Sequence, residues 1–223
     1  MVALMVCGAV SCKKDKPSKK IPEGAVDLGI VMTRADGTTY NLYWAKSNLC
    51  ETGLCANPED YGDYYAWGET KPKSEFNWST YKYGSSSSGP FTKYNGSDKT
   101  VLDPDDDAVV QAILGGKWRM PTIEEWMALR EQSTWVWTDD YNGTGIKGRI
   151  ITANNGNSIF LPATGYRYNA FLDDDGAKGF YWSSSLNTDE PNKAWYIFYD
   201  SVGPGRYSED RIFGQAIRPV YEK

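Results

Sequence analysis

The chain contains no histidine among its 223 residues and only four cysteines, none of them beyond Cys55. Without histidine it lacks the commonest general base and the commonest zinc ligand, so Ser-His-Asp and Cys-His mechanisms are excluded. Its apolar start, residues 1–10, is too short for a helix that spans a bilayer, which needs about 20 residues. We therefore predict that the chain is not an enzyme and has no cofactor and no bound metal.

Charge is spread unevenly along the chain. The net charge is −5, yet residues 13–20 carry five lysines and one aspartate, a charge of +4, so the remaining residues carry −9 in total. An acidic globular part argues against binding to nucleic acid. The short basic stretch contains Pro17 and Ser18 and is typical of a linker.

The apolar start has the features of a lipoprotein signal peptide. Small residues precede Cys12, and this resembles the bacterial lipobox, in which the cysteine is lipidated and becomes the first residue. An apolar start that belongs to a buried core element is the alternative, but five lysines within the next eight residues argue against it. We expect a signal peptide at 1–11 and a linker at 12–24. No basic leader precedes the apolar residues, so the signal peptide is either truncated at its start or unusual. The lipid would hold the protein in the cell envelope, at the outer membrane or cell surface.

Two helices are predicted in the middle of the folded part, which covers residues 25–223. The first runs from about Pro104 to Leu114, with Asp103 as its N-cap. The second runs from about Ile123 to Glu131, because Thr122 and Glu125 have the spacing of a capping box. Its spacing of apolar residues predicts three buried side chains, Ile123, Trp126 and Met127.

Short strands separated by turn residues surround these helices. An early strand is predicted at Thr39–Ala45, paired with residues 30–33, and later strands follow from Trp135 onward. The later strands are predicted at residues 135–137, 148–152, 158–162, 179–183, 193–201 and 216–220. Helices that are followed by β-hairpins, without βαβ alternation, predict an α+β fold.

Eight segments of the chain resemble the Fibrobacter succinogenes major paralogous domain, which occurs in secreted or lipidated proteins of gut Bacteroidetes-type bacteria. They are GAVDLG (24–29), WA (44–45), EDYGDYYAWGE (59–69), GGKWRMPTIEEW (115–126), NGNSIFLPATGYR (155–167), YWSSS (181–185), AWYIFY (194–199) and GQAIRPV (214–220). The resemblance implies a C-type-lectin-like fold, a twisted antiparallel sheet with two helices and long loops. Sulfatase-modifying enzymes and the variable proteins of diversity-generating retroelements share that fold. The former use late reactive cysteines, which this chain lacks, so their activity is not carried over.

Cys50 and Cys55 enclose a small loop, and in an oxidising compartment a disulfide is favoured there over a redox or metal site. The aspartate groups around 103–107 and 173–175 do not match an EF-hand loop. Paired carboxylates of a glycoside hydrolase are a weaker alternative. The available candidates for such a pair are Asp63, Glu69, Glu124 and Glu125.

The strongest candidate site lies near the C-terminus, on the strand at 193–201. By the resemblance, Trp195, Ile197 and Tyr199 point inward, so Tyr196 and Phe198 are expected to be exposed beside loops 186–193 and 202–213. In the retroelement variable proteins this surface binds ligand. The predicted ligand-binding residues are Asn187, Asp189, Asn192, Tyr196, Phe198, Arg206, Ser208, Asp210 and Phe213.

These observations predict a monomeric envelope lipoprotein that binds a glycan or protein ligand and contacts the membrane only through its lipid. A structural or adhesion component of an envelope assembly is the alternative. The alternative to a binding face at 193–201 is that its exposed aromatic side chains only cover a neighbouring loop.

Overall fold

The computed structural model describes residues 21–112, 114 and 116–223. The predicted signal peptide and Cys12 lie outside these residues. The strands are β1 Ala25–Thr33, β2 Thr39–Ala45, β3 Leu49–Cys50, β4 Gly53–Leu54, β5 Trp118–Arg119, β6 Ser133–Thr138, β7 Gly148–Ala153, β8 Ser158–Pro162, β9 Tyr166–Tyr168, β10 Phe171–Asp173, β11 Gly179–Leu186, β12 Lys193–Tyr199, β13 Pro204–Asp210 and β14 Val220–Glu222. The α-helices are α1 Ala108–Gln111 and α2 Ile123–Glu131, and short 3₁₀ turns occur at Pro104–Asp106 and Tyr141–Gly143.

The strands form small antiparallel sheets. The largest has the order β1-β2-β14-β5, so the first and last strands of the folded part lie in one sheet. Two three-stranded sheets follow, β6-β7-β8 and β11-β12-β13, together with the hairpins β3-β4 and β9-β10. Antiparallel sheets with two helices confirm the predicted α+β class.

Helix α2 has the predicted bounds and the predicted capping box. The backbone N–H of Glu125 donates to Thr122 Oγ1 at 3.3 Å, and the backbone N–H of Thr122 donates to Glu125 Oε2 at 2.8 Å. Ile123 and Trp126 are buried as predicted, but Met127 is only half-buried. Leu129 takes the third core position instead.

The predicted first helix is wrong in its start and its cap. A 3₁₀ turn occupies Pro104–Asp106, and α1 begins only at Ala108 with Asp107 as its N-cap. Asp107 Oδ1 accepts from the backbone N–H of Val109 at 2.8 Å, whereas the Asp103 carboxylate pairs with lysines, among them Lys93 at 2.7 Å. A surface ion pair therefore removes Asp103 from the capping role.

Residues 55–103 form a long irregular segment that nevertheless contributes many aromatic residues to the core. Tyr64, Tyr65 and Trp67 are buried. The Trp67 indole donates to the backbone carbonyl of Ser183 at 2.8 Å, and this hydrogen bond holds the segment against β11.

The strands β11 and β12 separate two hydrophobic clusters. Tyr181, Ile197 and Tyr199 belong to a cluster with α2, and Trp182 and Tyr196 belong to the cluster with the segment 55–103. The prediction that Tyr196 is exposed is therefore wrong, because both faces of the pair are covered. Trp195, which was predicted to point inward, is half-buried, and Arg206 lies over its ring at 4.9 Å.

Six strands were not predicted, and one is displaced. The six are the two-residue strands β3, β4 and β5 and the strands β9, β10 and β13. β9 and β10 form a short hairpin, and β13 replaces most of the loop predicted at 202–213. The strand predicted at 216–220 is found at Val220–Glu222, because Gln215 and Ala216 make only single bridges to Tyr65 and Tyr181.

Candidate functional site

The hairpin of β12 and β13 positions the candidate site. Its turn is closed at Asp200, whose side chain accepts from the backbone N–H of Val202 at 2.7 Å. The register places Tyr207 opposite Tyr196 and Gly205 opposite Phe198. Since side chains alternate along a strand, the side chains of Tyr196, Phe198 and Tyr207 lie on one face of this sheet.

A pocket of about 370 Å³ opens on that face. We call it the aromatic pocket. Its lining residues are Tyr166, Asp174, Lys178, Phe180, Tyr196, Phe198, Tyr207, Glu209, Phe213 and Gln215.

Six aromatic rings form a continuous belt around the pocket. Phe180 contacts Phe198 at 5.3 Å between ring centres and Tyr166 at 4.9 Å, both with edge-to-face geometry. Tyr207 contacts Phe198 at 5.6 Å, and Phe213 contacts Tyr166 at 5.5 Å. Edge-to-face contacts turn successive rings in different directions, so the pocket is lined by both faces and edges of the rings.

Besides its tyrosine hydroxyls, the pocket is lined by four polar side chains, Asp174, Lys178, Glu209 and Gln215. Gln215 is 1% exposed, and its Oε1 has no hydrogen-bond partner among the described residues. Glu209 is half-buried, and its Oε1 accepts from the backbone N–H of Asp210 at 3.0 Å. The single cation of the lining, Lys178, donates to Asp174 at 3.0 Å.

Two phenols of the lining keep their protons at neutral pH. Burial, reinforced by the nearby Glu209 carboxylate, raises the pKa of Tyr196 well above its ordinary value. Burial, together with Asp173 and Asp174, also raises the pKa of Tyr166. Neither phenol can therefore serve as a phenolate base, and the pocket offers neutral hydroxyls beside carboxylates and an amide.

The structure divides the nine predicted binding residues among three places. Tyr196, Phe198 and Phe213 line the aromatic pocket. Arg206, Ser208 and Asp210 are on the opposite face of β13, where they are paired in register with Ile197, Trp195 and Lys193. The prediction of one continuous face is therefore wrong for these three residues, because alternation along β13 separates them from Tyr207 and Glu209.

The three predicted asparagine and aspartate residues of the preceding loop lie apart from the pocket lining. Asn187 is buried and donates to Ser208 Oγ at 3.1 Å, and Asn192 donates to Asp210 Oδ1 at 2.7 Å. Asp189 is exposed, and its backbone N–H donates to Asn187 Oδ1 at 3.1 Å. These hydrogen bonds stabilise the end of the hairpin.

Sequence reasoning missed seven pocket residues, Tyr166, Asp174, Lys178, Phe180, Tyr207, Glu209 and Gln215. A signal for two of them was present: Asp200-Ser201-Val202-Gly203 has the composition of a hairpin turn, which predicts a further strand with Tyr207 and Glu209 on one face. No sequence signal brings Gln215 to this place, since its position depends on the single bridge to Tyr65.

The structure also bears on the predicted disulfide, on metal binding and on membrane-spanning helices. Cys50 and Cys55 are joined by a disulfide, with a Cα–Cα distance of 5.2 Å. No group of three or more Cys, Asp or Glu side chains positioned for a metal ion occurs in the part of the chain that the structure describes. Within the same part, no helix has the length and apolar character needed to cross a bilayer.

Comparison with known proteins finds a family model that matches part of the chain. A family model described as a domain of unknown function (DUF8237) matches residues 147–220. No curated protein and no solved structure matches the chain. The matched range runs from the residue before β7 to the first residue of β14 and contains every residue that lines the aromatic pocket.

Proposed function

We propose that this chain is a lipid-anchored protein of the cell envelope whose aromatic pocket binds a glycan or protein ligand. The observation that carries the proposal is the pocket itself, in which six aromatic rings and the buried Gln215 line one cavity, and the amide oxygen of Gln215 lacks a hydrogen-bond partner among the described residues. Ligand sites are concave and largely apolar, with a few polar groups that orient the ligand. The aromatic pocket has this composition.

Binding is favoured over catalysis by the chemistry of the lining. The pocket contains no histidine or cysteine, and the pKa values of two of its tyrosines, Tyr166 and Tyr196, are raised. A general base that works near neutral pH needs a pKa near that pH, and the phenols lie far above it. Glu209 and Asp174 remain as carboxylates, which suit ligand recognition as hydrogen-bond acceptors.

The fold and family are also part of the proposal. We propose a C-type-lectin-like fold of the Fibrobacter succinogenes major paralogous type. Antiparallel sheets, two helices and the long segment 55–103 support it, since these are the features that the resemblance implies. The diversified surface of the retroelement variable proteins would correspond to the sheet of β12 and β13.

The ligand-binding proposal can be tested with glycan and protein arrays, using the chain with Cys12→Ser so that it is free of lipid. Tyr207→Ala should weaken binding of any ligand found by about tenfold, because Tyr207 belongs to the ring belt and is 53% exposed. Val136→Ala removes a similarly exposed apolar side chain from β6 and should leave binding unchanged. Equal affinities of the ligand for wild type and Tyr207→Ala would show that the ligand binds outside the aromatic pocket.

The anchoring proposal predicts that Cys12→Ser moves the protein from the membrane fraction to the soluble fraction, because one acyl-bearing cysteine provides the attachment. A fatty-acid analogue should label the wild type but not the variant. Cys55→Ser serves as the control, since it removes a cysteine of the disulfide and should not affect labelling. A Cys12→Ser protein that stays in the membrane fraction would contradict the proposal.

A further inference from the structure

The buried amide of Gln215 indicates whether the ligand must be a hydrogen-bond donor or an acceptor. Gln215 is 1% exposed and lines the aromatic pocket, and its Oε1 lacks a hydrogen-bond donor among the described residues. A buried acceptor without a donor costs free energy, and a ligand that supplies an N–H or O–H group would recover it. The ligand should therefore be a hydrogen-bond donor.

The charges of the lining specify the sign of the ligand. Lys178 is compensated by Asp174 at 3.0 Å. Glu209 forms no salt bridge with any lysine or arginine in the described residues, although Lys193 interacts with it at longer range. Two carboxylates and one ammonium line the pocket, so the net charge of its lining is negative. An anionic ligand would meet this carboxylate in a partly desolvated site, where like charges repel strongly.

The ring belt adds a second attraction for positive charge. The faces of aromatic rings carry negative potential, and a cation within about 6 Å of a ring centre is stabilised, more so when it is desolvated. Rings from β11, β12 and β13 meet here, with Phe180, Phe198 and Tyr207 in successive contact at 5.3 and 5.6 Å. A charged group that enters the pocket would approach several rings at once.

The rim of the pocket indicates that the cation belongs to a larger molecule. Tyr168 is 42% exposed and stacks on Phe213 at 5.0 Å, and Phe171, which is 69% exposed, is paired with Tyr168 in the β9-β10 hairpin. Exposed aromatic residues next to a pocket are typical of a contact surface for a protein partner. The aliphatic stem of a long side chain would pack on this rim while its charged end enters the pocket.

We propose that the aromatic pocket binds an organic cation with N–H donors, the ammonium or guanidinium group of a lysine or arginine side chain on a partner protein. This inference rests on the proposed binding function and narrows it to one ligand chemistry. A neutral saccharide could donate to Gln215, but it would leave the net negative charge of the lining unbalanced. A cation satisfies the acceptor, the carboxylate and the rings together.

The test uses the full chain and probes that differ in charge alone or in donor type. Butylammonium and butylguanidinium should bind at least about tenfold more tightly than the neutral butan-1-ol, as judged by chemical-shift changes of the aromatic side chains. Raising the salt concentration should weaken the binding of the two cations and leave the binding of butan-1-ol unchanged. Butyrate and methyl glucoside should not compete. The cation that binds more tightly identifies whether a lysine or an arginine side chain of the partner enters the pocket.

Three substitutions with matched size separate charge from shape. Glu209→Gln removes a negative charge from the pocket and should weaken the binding of butylammonium about tenfold. Lys178→Gln removes a positive charge and should strengthen this binding a few-fold. Asp210→Asn removes the same charge from the opposite face of β13 and should change the affinity little.

The outcomes distinguish the inference from the proposed function. Equal affinity for butylammonium and butan-1-ol, or saturation by neither cation at about 0.1 M, would overturn the inference, as would preferred binding of methyl glucoside. The binding function would then still stand if an array ligand depends on Tyr207. If neither cation binds preferentially and no array ligand depends on Tyr207, both proposals are overturned.

Discussion

Replacing Arg218 by methionine should destabilise the protein by about 3–5 kcal/mol. Arg218 is fully buried, and its guanidinium donates to Asn48 Oδ1 at 2.8 Å, to the Ala45 carbonyl at 3.0 Å and to the Phe160 carbonyl at 2.7 Å. It forms no salt bridge among the described residues. Methionine would fill much of the volume but leave three buried acceptors without donors.

Arg218 connects elements that are far apart in sequence. Ala45 ends β2, Asn48 precedes β3, and Phe160 is in the middle of β8, so one side chain joins the first sheet to the sheet of β6, β7 and β8. Burial lowers the pKa of the guanidinium, and the nearby Tyr181 and Tyr199 oppose that shift. The residue therefore stabilises through directed hydrogen bonds and not through an ion pair.

Urea denaturation and thermal melting measure this effect. For a domain of this size, a loss of 3–5 kcal/mol should lower Tm by about 6–20 °C. Arg130→Met, at an exposed position near the end of α2, is the control and should stay within about 1 kcal/mol of wild type. Arg218→Lys should recover only part of the loss, because one ammonium cannot reach three acceptors. Full recovery by lysine would contradict the hydrogen-bond explanation.

The sequence supports prediction wherever a local rule decides the structure. The capping box at Thr122 and Glu125 predicts the bounds of α2 because its hydrogen bonds lie within four residues. The strand at 193–199 is likewise evident from its β-forming residues. The pairing of Cys50 with Cys55 needs only a short loop.

The sequence does not predict the features of the structure that depend on contacts between residues far apart in the chain. Alternation along β12 identifies two faces, but it cannot reveal that the segment 55–103 covers the Tyr196 face with Trp67 and other aromatic residues. Asp103 is a suitable N-cap by its position, yet Lys93, ten residues earlier, pairs with its carboxylate. The aromatic pocket combines residues from four strands with Gln215, whose place depends on a bridge to Tyr65. These contacts have no signature in the local sequence.

Replacing Asp106 by asparagine should cost about 2–4 kcal/mol at neutral pH, because Asp106 joins the irregular segment to the start of α1. The side chain is 6% exposed and accepts from Lys82 at 2.9 Å, from the Tyr94 hydroxyl at 2.7 Å and from Lys93. An asparagine of the same size keeps one acceptor but loses the charge that holds both lysines. Asp105→Asn, at the exposed neighbouring position, is the control and should change stability by less than about 0.5 kcal/mol.

The same carboxylate predicts how stability depends on pH. Burial opposes ionisation of Asp106, but the hydrogen bonds from Lys93 and its other partners outweigh it and hold its pKa well below the ordinary value. Since the folded pKa is lowered, the stabilisation is complete above the unfolded value of about 3.9 and is lost as pH falls through the folded pKa. Asp107 acts in the opposite sense, because burial raises its pKa to about 6, so its ionisation lowers stability between about pH 4 and 6.

The two contributions are separated by comparing wild type with Asp106→Asn in urea titrations from pH 7 to pH 2. Asp107 is present in both proteins, so the difference in unfolding free energy reports Asp106 alone. That difference should be constant down to about pH 5 and should then shrink as acid protonates the unfolded chain and finally the folded one. A difference that stays constant to pH 2 would mean that the charge of Asp106 does not stabilise the fold, and that its size and remaining hydrogen bonds account for the whole effect.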